Sequence, residues 1–373
     1  MKPTKTINSN KTFLKCFNSS FFQDSLLTIF ILFVMIIIIS NPTIFTEGTI
    51  SGLKLFVFSV LPGLLPFMLL TKLLTEIGTV FKITKKMDKF SYAVFGTPGV
   101  SLYAFFMSIL SGYPIGAKII SDLYSKNLIN EENAKKMSIF CTTSGPVFVI
   151  GTVGSIMFKS FKFGLILYFS HILSSIFLGI LANIFNKLKT KNQNFSKNTT
   201  IQNSVNFSKN ANILNYCVSE TINSLFIVGA YITIFYLVSE LLDVLNIFNF
   251  ITYFFSSVFN KLGINLPYFK ETLYGIVEVT RGCKSLSLHI CKETIILASA
   301  LISFSGISII MQSMAFLKNA KIKTHNFILT KVVHSFFSAL ICYILVVMFI
   351  WNNWNFNIVN CFFKFITISS NHI

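Results

Sequence analysis

The chain has 373 residues, 53% of them hydrophobic, with a mean hydropathy of +0.69 and a formal net charge of +18 at pH 7. This composition excludes an ordinary soluble domain: several windows reach the roughly 18 to 20 apolar residues that a helix needs to cross about 30 Å of hydrocarbon, so the chain reads as an all-α polytopic membrane protein. The positive charge does not point to nucleic acid, because the lysines gather in short loops between apolar runs and so report topology.

Lys2, Lys5, Lys11 and Lys15 precede the apolar run from Leu26 to Ile39. No small-residue cleavage site follows in "SNPTIF", so residues 1–24 read as a cytoplasmic basic arm and residues 25–45 as a retained first transmembrane helix. The lysine-free loop from Asn41 to Thr49 then lies outside. Ile50 to Leu74 returns, and Lys82, Lys85, Lys86 and Lys89 mark the cytoplasmic side.

Tyr92 to Leu110 is apolar and runs into "SGYPIG", followed by Lys118, Lys126, Lys135 and Lys136. A full crossing would put these lysines outside. A re-entrant hairpin restores the charge rule, turning at Gly112, Tyr113 and Pro114, because Pro lacks an N–H and Gly tolerates φ values that end a helix. Lys118 either draws an anionic substrate to the hairpin or snorkels at the interface.

Met137 to Phe158 leads outward with Thr142, Thr143, Ser144, Gly145 and Pro146 near its centre. Unwinding there frees backbone groups that need partners in protein, water or ligand, and a half-helix starting at Pro146 would aim its N–H groups inward as an anion site. The alternative is a kinked packing helix in which Gly145, Gly151 and Gly154 allow close contact. Phe163 to Phe185 returns, closing a first repeat of residues 50–186, and the Asn-, Lys- and Ser-rich stretch 187–212 reads as a mobile polar linker.

Residues 213–351 repeat the plan with opposite polarity, and residues 352–373 form a C-terminal tail. Ser224 to Leu245 goes outward, and Phe248 to Leu288 starts and ends outside as a second re-entrant hairpin. Thr294 to Phe316 comes inward, and Ile328 to Ile350 leaves. "GAK" at Gly116 pairs with "GCK" at Gly282, and "SGP" at Ser144 with "SGI" at Ser305, which supports an inverted repeat with two re-entrant hairpins and broken central helices. Glu278 and Arg281 lie in the second hairpin, where an ionisable residue costs about 2.5 to 3.5 kcal/mol to insert and tends to line a pathway; three residues apart, they alternatively neutralise each other. Ser303, Ser305 and Gly306 form the second break, and Gln312 beyond them faces a ligand or hydrogen-bonds across helices.

The seven cysteines show no C-x-x-C pairing and the five histidines no metal spacing, so neither a metal nor a cofactor is expected. No acidic or His pair stands at catalytic spacing, which argues against an enzyme. "GYPIGAK" lacks the full phosphate-loop pattern, which argues against an ATP-driven pump.

Ser111 to Gly154, "SGYPIGAKIISDLYSKNLINEENAKKMSIFCTTSGPVFVIGTVG", resembles the hallmark of the sporulation integral membrane protein family (YlbJ or SpoVV type), which carries the nucleoside-recognition Gate domain. "LPGLLPFMLLTKLL", "GIVEVTRGC" and "SFSGISIIMQ" extend the resemblance; where the family implies a Gly-Gly pair in the last motif, this chain has Ser305-Gly306. The resemblance implies a transporter-like fold similar to concentrative nucleoside transporters. It also implies a location in the outer forespore membrane or the cytoplasmic membrane of a spore-forming bacterium, and a small anionic substrate, dipicolinic acid, moved from mother cell to forespore. The bilayer is then the main partner, nucleic acid is not one, and a homo-oligomer is a candidate assembly. A non-transporting sporulation factor and a nucleoside-type carrier are the competing expectations.

Overall fold

The computed structural model describes residues 20–189, 212–263 and 265–350. Most of the expected basic arm, residues 190–211 of the linker and the tail from residue 351 onward lie outside the described residues. Among the described residues every regular element is helical. By length and composition four helices can cross a membrane, or five if a bent N-terminal pair counts as one span. Large apolar side chains face outward along them, among them Phe226 at 70%, Phe336 at 66% and Leu329 at 64% exposure, as lipid contact requires. The chain is thus an integral membrane protein.

Helix α1 (Ser20–Ser40) meets α2 (Pro42–Lys54) at a bend of 98°. The expected outer loop from Asn41 to Thr49 is therefore mostly helix. Pro42 explains both facts: it bars helical geometry from Asn41, which sits at φ −130° and ψ 56°, and its own fixed φ suits a first helical position. α2 then packs on α10 (Ile213–Val244) through Gly48 and Gly52, a small-xxx-small pair; a Cβ on Gly52 would lie 3.0 Å from the Thr233 Cα. The helix continues through a π-wound stretch, Leu55–Val60, into α3 (Leu61–Ile77). Pro62 has no N–H to return to the preceding turn, so the ladder widens just before it, whereas Pro66 is accommodated inside α3.

The apolar run from Tyr92 is divided. Short α4 (Thr79–Lys85) and α5 (Asp88–Val94) precede a break containing Pro98, and only then does α6 (Val100–Ser111) begin. α6 and α7 (Ile115–Ser125) have 12 and 11 residues. At 1.5 Å per residue neither exceeds about 18 Å, well short of about 30 Å of hydrocarbon. They fold back on each other: a Cβ on Gly116 of α7 would lie 2.8 Å from Ser108 Oγ of α6 and 1.7 Å from the Cys141 carbonyl oxygen. In the second half, α11 (Ile247–Lys261) leads to α12 (Phe269–Val277) and α13 (Val279–Leu286), nine and eight residues long. These also fold back tightly, with a Cβ on Gly282 placed 2.2 Å from the Gly275 Cα.

Each hairpin is followed by a broken pair and then a long helix. In the first half these are α8 (Glu131–Phe140), the π-wound Val147–Met157 and α9 (Phe161–Lys189). In the second half they are α14 (Lys292–Phe304), α15 (Gly306–Leu317) and α16 (Thr324–Ile350). The same element order thus occurs twice. The second arm of each hairpin packs across the boundary between halves, α7 on α15 and α13 on Val147–Met157. The long helices close the middle through small polar residues: Ser170 of α9 bonds Ser299 of α14 at 2.9 Å, and Ser299 bonds Ser338 of α16 at 2.8 Å. Without a hydrophobic drive between helices in lipid, such close small-residue seams hold them together.

Candidate functional site

The first break runs from Cys141 to Pro146, and its orphaned backbone groups are met one by one by side chains from three helices. The Thr142 carbonyl accepts from Lys331 Nζ at 2.6 Å. The Thr143 N–H donates to Ser108 Oγ at 2.9 Å, and the Ser144 N–H to His171 Nε2 at 2.8 Å. An unwound helix survives in lipid only when its freed groups are satisfied this way. Because His171 Nε2 accepts, the ring proton lies on Nδ1, which donates to Ser303 Oγ at 2.8 Å. One neutral imidazole therefore ties the first break to α14, just ahead of the second break.

The second break is made differently. Ser305 at φ 78° and Gly306 at φ 68° both adopt the left-handed region, ending α14 and restarting the chain as α15. A Cβ on Gly306 would lie 3.0 Å from the Gly275 carbonyl oxygen and 3.1 Å from the Val279 N, so the turn of the second hairpin is seated in this break. The first hairpin does the same in its own half: a Cβ on Gly112 would lie 2.5 Å from the Gly145 N. At the second turn Glu278 is extended and caps α13, its Oε2 accepting from the Arg281 N–H at 2.7 Å.

Both turns and the first break open onto one cavity of ≈ 100 Å³, several times the room that one ordered water needs. Gly112, Tyr113, Ser144, Gly145, Glu278 and Gln312 line it, together with Ser111, Thr280 and an apolar wall from the widened α2–α3 region. Ser111 Oγ is buried there and has no hydrogen-bond partner in the structure. Gln312 reaches Ser308 Oγ with its amide nitrogen at 3.2 Å.

The other sequence-nominated residues stand away from the cavity wall. Pro114 follows Tyr113 at the hairpin turn. Thr142, Thr143 and Ser303 are committed to Lys331, Ser108 and His171, and Ser305 and Gly306 shape the second break. Lys118 belongs to an ion network between α3, α7 and α10, pairing with Asp122 and Glu220 at 3.5 Å each, beside Lys72–Asp122 at 3.2 Å and Lys126–Glu76 at 2.8 Å. Arg281 does not pair with the Glu278 carboxylate through its guanidinium. It bonds Asp243 and, at 2.7 Å, Ser239 on α10, with Glu240 at 3.4 Å and the Tyr274 ring beneath it.

Sequence reading did not single out Ser111, Lys331, His171 or His334. The available signal was ionisable residues inside apolar runs, which mark functional depth by default. A spacing test within single helices passes over the histidines because His171 and His334 come from two helices and stack at 4.8 Å only after folding. His334 Nε2 donates to the His171 carbonyl at 3.1 Å.

No family model matches the chain, and no solved structure gives a significant match. The sporulation integral membrane protein YlbJ of Bacillus subtilis (strain 168) is 25% identical to it over 349 residues, covering 90% of this chain and 84% of that protein. A likeness that runs almost end to end includes both hairpins, both breaks and the helices that brace them: this chain is a relative of the YlbJ-type sporulation integral membrane proteins.

Proposed function

We propose that the protein is a secondary carrier of a small organic anion, with dipicolinate as the substrate, moved from the mother cell into the forespore across the outer forespore membrane. The two halves act as inverted repeats that rock about the cavity. The observation that carries the reading is this cavity, lined at once by the turns of two hairpins too short to cross a bilayer and by an unwound helix. Irregular backbone at membrane depth is tolerated where it lines such a space, and carriers place their substrates there. The unpartnered Ser111 hydroxyl offers a polar guest a contact that the protein leaves unmade.

Glu278 favours a second reading, a nucleoside-type carrier, because its carboxylate lines the cavity and would accept hydrogen bonds from a neutral, hydroxyl-bearing guest. The two readings predict opposite signs for one substitution. Even at roughly 8 Å, a unit-charge repulsion is worth about 2 kcal/mol at an effective dielectric of about 20. Glu278→Gln keeps an oxygen to cap α13 and removes that repulsion, so dipicolinate uptake into vesicles should show a KM lowered about tenfold, the equivalent of ~1.4 kcal/mol. Under the nucleoside reading the same variant loses uridine uptake, and dipicolinate is not taken up by either form. Vesicles that accumulate neither compound above protein-free controls would favour a non-transporting sporulation factor.

A further inference from the structure

Lys331 lies on α16 with 0% exposure. Its Nζ contacts three oxygens: the Thr142 carbonyl at 2.6 Å, Thr142 Oγ1 at 2.8 Å and Tyr113 Oη at 2.8 Å. No carboxylate among the described residues lies within 4.0 Å of it. Thr142 Oγ1 has already spent its own proton, donating to the Ser138 carbonyl at 3.1 Å. Both Thr142 oxygens therefore face Nζ as acceptors, and Tyr113 Oη completes the set. Only an ammonium, with three N–H groups, can donate to all three oxygens at once. The Tyr113 and Phe327 rings, centred 4.7 Å and 5.3 Å from Nζ, add faces that favour a cation.

An unwound-helix carbonyl, the hydroxyl of the same residue and a hydroxyl from a hairpin turn form the kind of hard oxygen set with which carriers hold an exchangeable alkali cation at a broken helix. Here a side chain from a neighbouring helix ends in that set. We infer that the Lys331 ammonium is a tethered cation that permanently fills a sodium-type site between the first hairpin turn and the first helix break. The charge that would otherwise arrive and leave with each cycle is built into α16. The site needs no sodium, and the positive charge behind Tyr113 is left for the guest to neutralise. Other titratable groups in this region are His171 and His334; His171 is held neutral by its bond from the Ser144 N–H.

The inference deepens the carrier reading, and its test reads protein stability and not flux, so the two can fail separately. Purified full-length protein in detergent is unfolded thermally in sodium chloride and in choline chloride of equal ionic strength. The wild type should melt at the same temperature in both. Lys331→Ala opens a space faced by three oxygens, and its lowered midpoint in choline should be raised by several degrees in sodium, with saturable dependence. Where Lys331→Ala yields no folded protein, Lys331→Ser takes its place, since its short polar side chain likewise leaves the three oxygens open to sodium. Sodium-specific stabilisation of the wild type, or a folded variant indifferent to sodium, would overturn the inference.

Discussion

Replacing His171 by leucine is expected to destabilise the protein by roughly 2–6 kcal/mol, because the Ser144 N–H and the Ser303 hydroxyl each lose a buried partner at about 1–3 kcal/mol apiece. Leucine fills much of the ring's volume, so the loss reads the hydrogen bonds and not a cavity. His171 is also the bridge between the first break and the segment that leads into the second. Its removal should loosen the first break from α14 while the Ser170–Ser299–Ser338 seam still joins the halves, with uptake lost along with stability. His171→Gln can offer an acceptor toward Ser144 and a donor toward Ser303, so it should recover part of both. Thermal unfolding of the purified variants checks this: equal midpoints for wild type and His171→Leu would mean that the break is held by something else.

Gly116→Ala should be comparably severe by a different route. The added Cβ would fall 1.7 Å from the Cys141 carbonyl oxygen, a backbone atom at the lip of the first break that cannot swing aside as a side-chain tip would. Relief requires moving the whole first hairpin away from the break that seats it, and overpacking of this kind costs about 1–3 kcal/mol or more. Gly151→Ala is the matched control, since nothing lies within 4 Å of its ideal Cβ. It should be neutral or gain up to about 1 kcal/mol of helix propensity. Size-exclusion profiles and melting of the two variants side by side separate a steric effect at the hairpin from a general intolerance of alanine for glycine.

Much of this arrangement is legible in the residues. Lysine placement singles out the two segments in which the structure has short helices folded back on each other, since charge in loops is costly to translocate. The Ser-Gly-Pro and Ser-Gly-Ile interruptions locate both breaks because few side chains suit unwound or left-handed backbone. What stays hidden is the partner of each polar group. Lys331 stands three residues into the apolar run from Ile328, and nothing beside it in the chain marks it until α16 is packed with Thr142 and Tyr113 around it. Arg281 is three residues from Glu278, yet the extended turn at Glu278 spends that carboxylate on a backbone N–H and leaves the guanidinium to Asp243, 38 positions earlier. Asn41 to Thr49 lacks lysine and reads as a loop, but Pro42 starts a helix there and the Gly48–Gly52 pair gives that helix a surface to pack on. In each case a long-range contact completes what the local chain leaves open.

The central claim is that a guest sits where the two hairpin turns and the first break converge. Ser111→Cys places a thiol on that wall, and its alkylation by a maleimide in membrane vesicles can be followed above the wild-type background. Dipicolinate should slow this labelling saturably, while a thiol placed by Ile156→Cys on the outward face reacts at the same rate with or without it. Labelling of Ser111→Cys that is unchanged at every dipicolinate concentration would contradict the account.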